Sequence, residues 1–91
     1  MSLQFGKALA VHLSKRGETQ RQFAGAVKYD QPSLAQIISG SRKPPVDHLE
    51  PWADYLGLKG KDRETFLILG HLEHCTPYIQ DFVRRIRFSD A

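Results

Sequence analysis

The chain has 91 residues, 41% of them hydrophobic and 25% charged, which fits one small domain with a single core. This argues against wholesale disorder, and no separate catalytic or sensor domain is expected within these residues. Net charge is only +3, yet seven lysines and arginines face two carboxylates in residues 1–43 (+5), whereas six face eight in residues 44–91 (−2), so the front half is the part suited to an anion.

The longest apolar run, Phe66 to Leu69, is far too short for a bilayer. Met1 to Lys7 lacks a signal-peptide pattern, and the single Cys75 cannot form an internal disulfide. A cytoplasmic chain with no membrane association is expected.

Taken in order, Leu3, Phe5, Ala8, Leu9, His12 and Leu13 fall at helical spacings and predict an amphipathic first helix ending near Arg16, with Gly17 as its C-cap. His12 lies on the apolar side and reads as a packed residue. Thr19 and Gln22 form a T-x-x-Q capping box, so a second helix starts at Gln20, with Phe23, Ala24 and Val27 facing inward. Lys28 and Tyr29 turn the chain, and Asp30 is an N-cap for a third helix from Gln31 to about Ser39. Its second residue, Pro32, is tolerated because first-turn residues need no intrahelical N–H partner. Leu34, Ile37 and Ile38 turn inward, which leaves Gln31, Pro32, Ser33, Ala35, Gln36 and Ser39 outside; Gly40 closes the helix before a basic link, Ser41 to Lys43.

Leu49, Trp52, Ala53 and Leu56 define a fourth helical stretch that Gly57 stops. Pro51 either kinks it or marks where its regular part begins after a looser turn, and the second alternative is favoured. Asp62 can cap a fifth helix to about His74, whose Phe66, Leu67, Ile68, Leu69 and Leu72 are too apolar for one narrow stripe. Thr76 and Pro77 then open a last helix with Ile79, Phe82, Val83 and Ile86 at i, i+3, i+4, i+7. That stripe needs a cover, either a second copy of the chain or the same chain's core.

Residues 17–58 resemble the lambda-repressor and Cro-like helix-turn-helix superfamily, the xenobiotic-response-element family of bacterial and phage regulators. The pattern runs from Gly17, Thr19, Gln20, Phe23 and Ala24 through Gln31, Ser33, Leu34, Ile37 and Gly40. It continues to Arg42, Pro45, Leu49, Ala53, Leu56 and Gly57. With residues 1–16 as the first helix, it covers somewhat over half the chain. Lys28, where the family often has a turn glycine, and Pro51 depart from the pattern.

The resemblance implies an all-α, lambda-repressor-like five-helix domain with one additional C-terminal helix. Residues 1–58 would be the DNA-binding domain, with its helix-turn-helix at 19–40, and residues 59–91 a helical extension for dimerisation. Gln31 and Ser33 would approach base edges, joined by Gln36, while Pro32 and Ala35 could meet thymine methyls. Glutamine suits this place because its amide can donate to N7 and accept from N6–H of adenine together. Gln20, Arg21, Arg42 and Lys43 are assigned to phosphates, with Lys28 and Lys7 as weaker candidates. Phe66, Leu69, Ile79, Phe82, Val83 and Ile86 are assigned to a dimer interface.

The expected function is a transcriptional regulator, most simply a repressor, that binds double-stranded DNA at a palindromic operator as a homodimer. The alternative is an interaction module, an antitoxin or adaptor, that holds a partner protein through its apolar C-terminal helices. His71, His74 and Cys75 fall short of a four-ligand zinc set, so neither metal nor cofactor is expected. No glycine-rich phosphate loop, G-x-S-x-G or H-E-x-x-H occurs, so no enzyme is expected. Arg84, Arg85 and Arg87 read as the solvent side of the last helix.

Overall fold

A computed structural model describes residues 4–88. These residues form α1 (Phe5–Arg16), α2 (Gln20–Ala26), α3 (Gln31–Ser39), α4 (Leu49–Tyr55), α5 (Gly60–Leu72) and α6 (Pro77–Arg87), with a 3-10 turn at Val46–His48 and no strand.

The helix ends follow local chemistry. Gly17 takes φ 66° and closes α1 by donating to the Leu13 and Ser14 carbonyls. Thr19 N donates to Gln22 Oε1 (2.8 Å) and Gln22 N to Thr19 Oγ1 (3.0 Å), a reciprocal cap that satisfies two orphan donors at the start of α2. Between α2 and α3, Lys28 adopts φ 57°, so a side chain occupies the left-handed turn position that glycine fills at lower cost. Asp30 caps α3, and Gly40 (φ 92°) ends it.

Pro51 is accommodated as the third residue of α4, where its missing N–H forfeits no helical bond. The regular helix begins at Leu49, two residues before the proline. Asp62 is not a cap: α5 begins two residues earlier, at Gly60 with φ 59°. Asp62 instead lies in the first turn, where the helix dipole favours a carboxylate.

The core is built around Trp52, which is fully buried and ringed by Phe5 at 6.5 Å, Phe23 at 5.5 Å, Tyr29 at 5.2 Å and His48 at 5.9 Å between ring centroids. Its Nε1 has no hydrogen-bond partner among the described residues. Leu9, Leu34, Ile37 and Leu49 complete the cluster, each contributing about 1.5–3 kcal/mol through burial. His12 meets the Phe66 ring edge-on at 6.1 Å, and burial lowers its pKa below the ordinary 6.5, partly opposed by Asp62.

Phe66 and Leu69, expected at a dimer interface, are each only 1% exposed and belong to this same core. That expectation is corrected: the helix spacing marked two faces for burial, and the chain itself covers the face that bears these two residues. A division after residue 58 does not follow the packing either, because α5 shares its core with α1 and α4. Gly70 allows the approach, since a Cβ there would stand 2.5 Å from Leu49 Cδ2.

Helix α6 differs from the rest because none of its residues is buried. Thr76 caps it, Gln80 Nε2 donates to the Cys75 carbonyl (2.9 Å), and Arg87 forms an ion pair with Glu64. Half-buried Phe88 touches the core just beyond its end.

Candidate nucleic-acid interface

Leu34 and Ile37 anchor α3 in the core, which fixes the direction of its opposite face. Gln31, Pro32, Ala35 and Gln36 are exposed there, whereas Ser33 is half-buried. The Gln31 side chain makes no hydrogen bond among the described residues, so its amide retains both donor and acceptor capacity.

The other polar groups of this face are linked. Asp30 Oδ2 accepts from Ser33 N (3.0 Å) and from Ser33 Oγ (2.8 Å). Arg42 reaches back over the helix, donating from Nη1 to Ser33 Oγ (3.3 Å) and to Gln36 Oε1 (3.3 Å). The Ser33 hydroxyl bonds hold the Asp30 carboxyl below its ordinary 3.8, helped by the Ser33 backbone N–H and by the positive charge of Arg42. Ser33, expected to approach a base edge, therefore has its hydroxyl proton and a lone pair engaged within the chain. Arg42, expected on a phosphate, instead bonds to Ser33 and Gln36 of α3.

At the far end of α3, the Gln36 carbonyl accepts from Ser41 N (2.9 Å), Arg42 N (3.2 Å) and the hydroxyls of Ser39 (3.0 Å) and Ser41 (3.3 Å). This fold-back brings Arg42 within reach of α3. No fixed spacing in the sequence signals it. The remaining phosphate candidates, Gln20, Arg21, Lys28 and Lys43, are all exposed, as is Lys7.

Two tertiary anchors hold the frame. Tyr55 OH donates to Glu18 Oε2 (2.6 Å), Arg16 Nε donates to Glu18 Oε1 (2.9 Å), and the Arg16 guanidinium lies 5.0 Å from the centroid of the Tyr55 ring. These contacts tie the α1–α2 connection to α4. His74 Nε2 donates to the Pro44 carbonyl (2.6 Å), securing the basic link from the α5 side. Neither anchor has a local sequence signature.

The second exposed surface is on α6. Tyr78 is 80% exposed, Ile79 41%, Phe82 50% and Ile86 67%, with Val83 half-buried beside them. Arg85 pairs with Asp81 at 2.6 Å. Among the described residues no three His, Cys, Asp or Glu side chains are placed to hold a metal ion, and no helix is long and apolar enough to cross a membrane.

Comparison with protein-family models, curated proteins and solved structures returned no match.

Proposed function

We propose that the chain is a sequence-specific DNA-binding regulator of the helix-turn-helix type, with α3 entering the major groove and Gln31 and Gln36 offering their amides to base edges. One observation carries this reading: core-anchored α3 turns an exposed, amide-bearing face outward and Arg42 lies across it, within the half of the chain that carries the +5 balance. An anionic partner with hydrogen-bonding edges suits such a surface better than an apolar partner does. Gln20, Arg21, Lys28 and Lys43 would position the phosphates. Pro32 and Ala35 would supply apolar contact.

A reader this short touches few bases, so specificity would come from two copies joined through α6 at Ile79, Phe82, Val83 and Ile86. Two recognition helices about 34 Å apart would meet a roughly palindromic operator. The protein would repress by occlusion in the cytoplasm, with no cofactor and no enzymatic step. The uncovered α6 stripe also favours a second reading, a partner protein held by α6.

The test combines selection of bound sequences from random duplex DNA, for the wild type and Gln31→Ala, with native mass measurement. Expected are a palindromic consensus, loss of preference at one base pair per half-site in the variant, and a dimer. A consensus and affinity unchanged by Gln31→Ala would overturn the assignment of α3 as reader. A monomer bearing a co-purifying protein on α6 would favour the second reading.

A further inference from the structure

The two glutamines of α3 are not equivalent, and Arg42 is the cause. We propose, on the reading of α3 as a major-groove reader, that Arg42 is a specificity-determining residue that orients the Gln36 amide and turns that end of the helix into a guanine reader, leaving Gln31 as the adenine reader.

The direction of every hydrogen bond in the chain of groups is dictated by chemistry. A guanidinium can only donate, so the Gln36 atom facing Arg42 Nη1 at 3.3 Å must be the amide oxygen. The Ser33 hydroxyl has one proton, and at 2.8 Å from the Asp30 carboxylate it donates its hydrogen bond to Asp30. Ser33 Oγ therefore presents a lone pair to Arg42 Nη1 at 3.3 Å. Asp30 is in turn fixed as the N-cap of α3 by Ser33 N. Arg42 is thus referenced to both ends of the reader helix, through Ser33 near its start and Gln36 near its end.

With its oxygen turned toward Arg42, Gln36 has its NH2 left for another partner, and the same guanidinium keeps further N–H donors. With one lone pair of the Gln36 oxygen engaged by Arg42, the pair is predominantly donating and carries a positive charge. Guanine, with acceptors at both N7 and O6, matches it. Adenine places the N6 amino donor against the same cation and loses. Gln31 has no such neighbour and keeps the combined donor and acceptor needed for adenine.

The test compares sequences selected by the full chain, Gln36→Ala, Arg42→Ala and Arg42→Lys, with salt dependence measured for each. The base pair whose preference disappears in Gln36→Ala identifies the Gln36 position. Guanine is expected there in the wild type, with a shift of about tenfold toward adenine in Arg42→Ala, and no change at the Gln31 position. Arg42→Lys keeps the charge and the salt slope but not the planar fork, so it is expected to shift the same base pair.

A uniform loss over all sequences in Arg42→Ala, with a salt slope smaller by about one and unaltered preferences, would overturn the proposal by making Arg42 a phosphate contact. The Gln36 side-chain NH2 resonances, followed by NMR without DNA, are expected to move in Arg42→Ala; if they stay, the link itself is overturned. Failure to select any sequence, with those resonances still moving, would remove the DNA reading while leaving the Arg42–Gln36 link intact.

Discussion

The backbone of Gly6 rests against the end of α3, where a Cβ would stand 2.6 Å from the Ile37 carbonyl oxygen and closer still to that of Ile38. The obstacle is helix backbone, which cannot turn aside as a side chain would. Gly6→Ala should therefore lever α1 away from α3 and destabilise the fold by roughly 1–3 kcal/mol. In thermal denaturation each kcal/mol lowers the midpoint of a domain this size by about 4–8 °C. An unchanged midpoint would show that α1 and α3 can separate freely.

Lys28 holds a left-handed turn at φ 57°, a conformation that costs a non-glycine residue about 1–3 kcal/mol. Lys28→Gly should raise the unfolding midpoint, the gain being reduced by the larger chain entropy of glycine. Lys28→Ala keeps the strain and removes only the charge. A DNA salt slope that falls by about one in both variants would assign Lys28 to a phosphate.

Asp30 supplies a pH dependence of known sign. Its folded pKa lies below 3.8 because Ser33 hydrogen bonds favour the carboxylate, so its stabilising effect is complete above that value and is lost as pH falls through the folded pKa. Asp30→Asn retains a capping oxygen but cannot titrate. The stability difference between wild type and variant, measured by urea unfolding at several pH values, should be constant near neutrality and shrink below pH 3.8.

Trp52 carries a buried N–H with no acceptor among the described residues. Trp52→Ala should cost about 3–5 kcal/mol through the cavity it leaves. Trp52→Phe loses less volume and removes a donor whose burial costs about 1–3 kcal/mol, so its penalty in urea unfolding should be well below that of the alanine variant. Equal penalties would mean that the indole N–H finds an acceptor.

Phe82 is half exposed on α6, so Phe82→Glu should leave the monomer folded while separating a dimer. Native mass is expected to fall from twice 10.4 kDa to 10.4 kDa, and affinity for a full palindrome should fall toward that for a half-site. A wild type that already has the mass of one chain would reject the dimer.

What could be read from the sequence was mostly what neighbouring residues decide among themselves. Thr19 with Gln22, Asp30 before Gln31, Gly17, Gly40 and Thr76 with Pro77 define helix ends because the groups involved lie within a turn of one another. The exposed face of α3 followed from Leu34 and Ile37 in the same way. Asp62 misled because a good capping residue also suits a first turn, and Gly60 had already begun the helix. Phe66 and Leu69 misled because apolar spacing shows that a face is buried but not which chain buries it. The position of Arg42 over Gln36, the Glu18–Tyr55 bond and the Gly6 contact depend on tertiary approach, which no local pattern encodes.

The absence of any buried residue in α6 bears on the order of events in assembly. Among the described residues every fully buried hydrophobic side chain lies between Phe5 and Leu72, with Phe88 adding only a half-buried contact, so the core does not require α6 to be covered by a partner. If α6 joins two copies, association follows mass action and responds to copy number, and operator occupancy would rise more steeply than the amount of protein made. Changes confined to the exposed Tyr78, Ile79, Phe82 and Ile86 would then reset that threshold while leaving α3 and the buried core untouched.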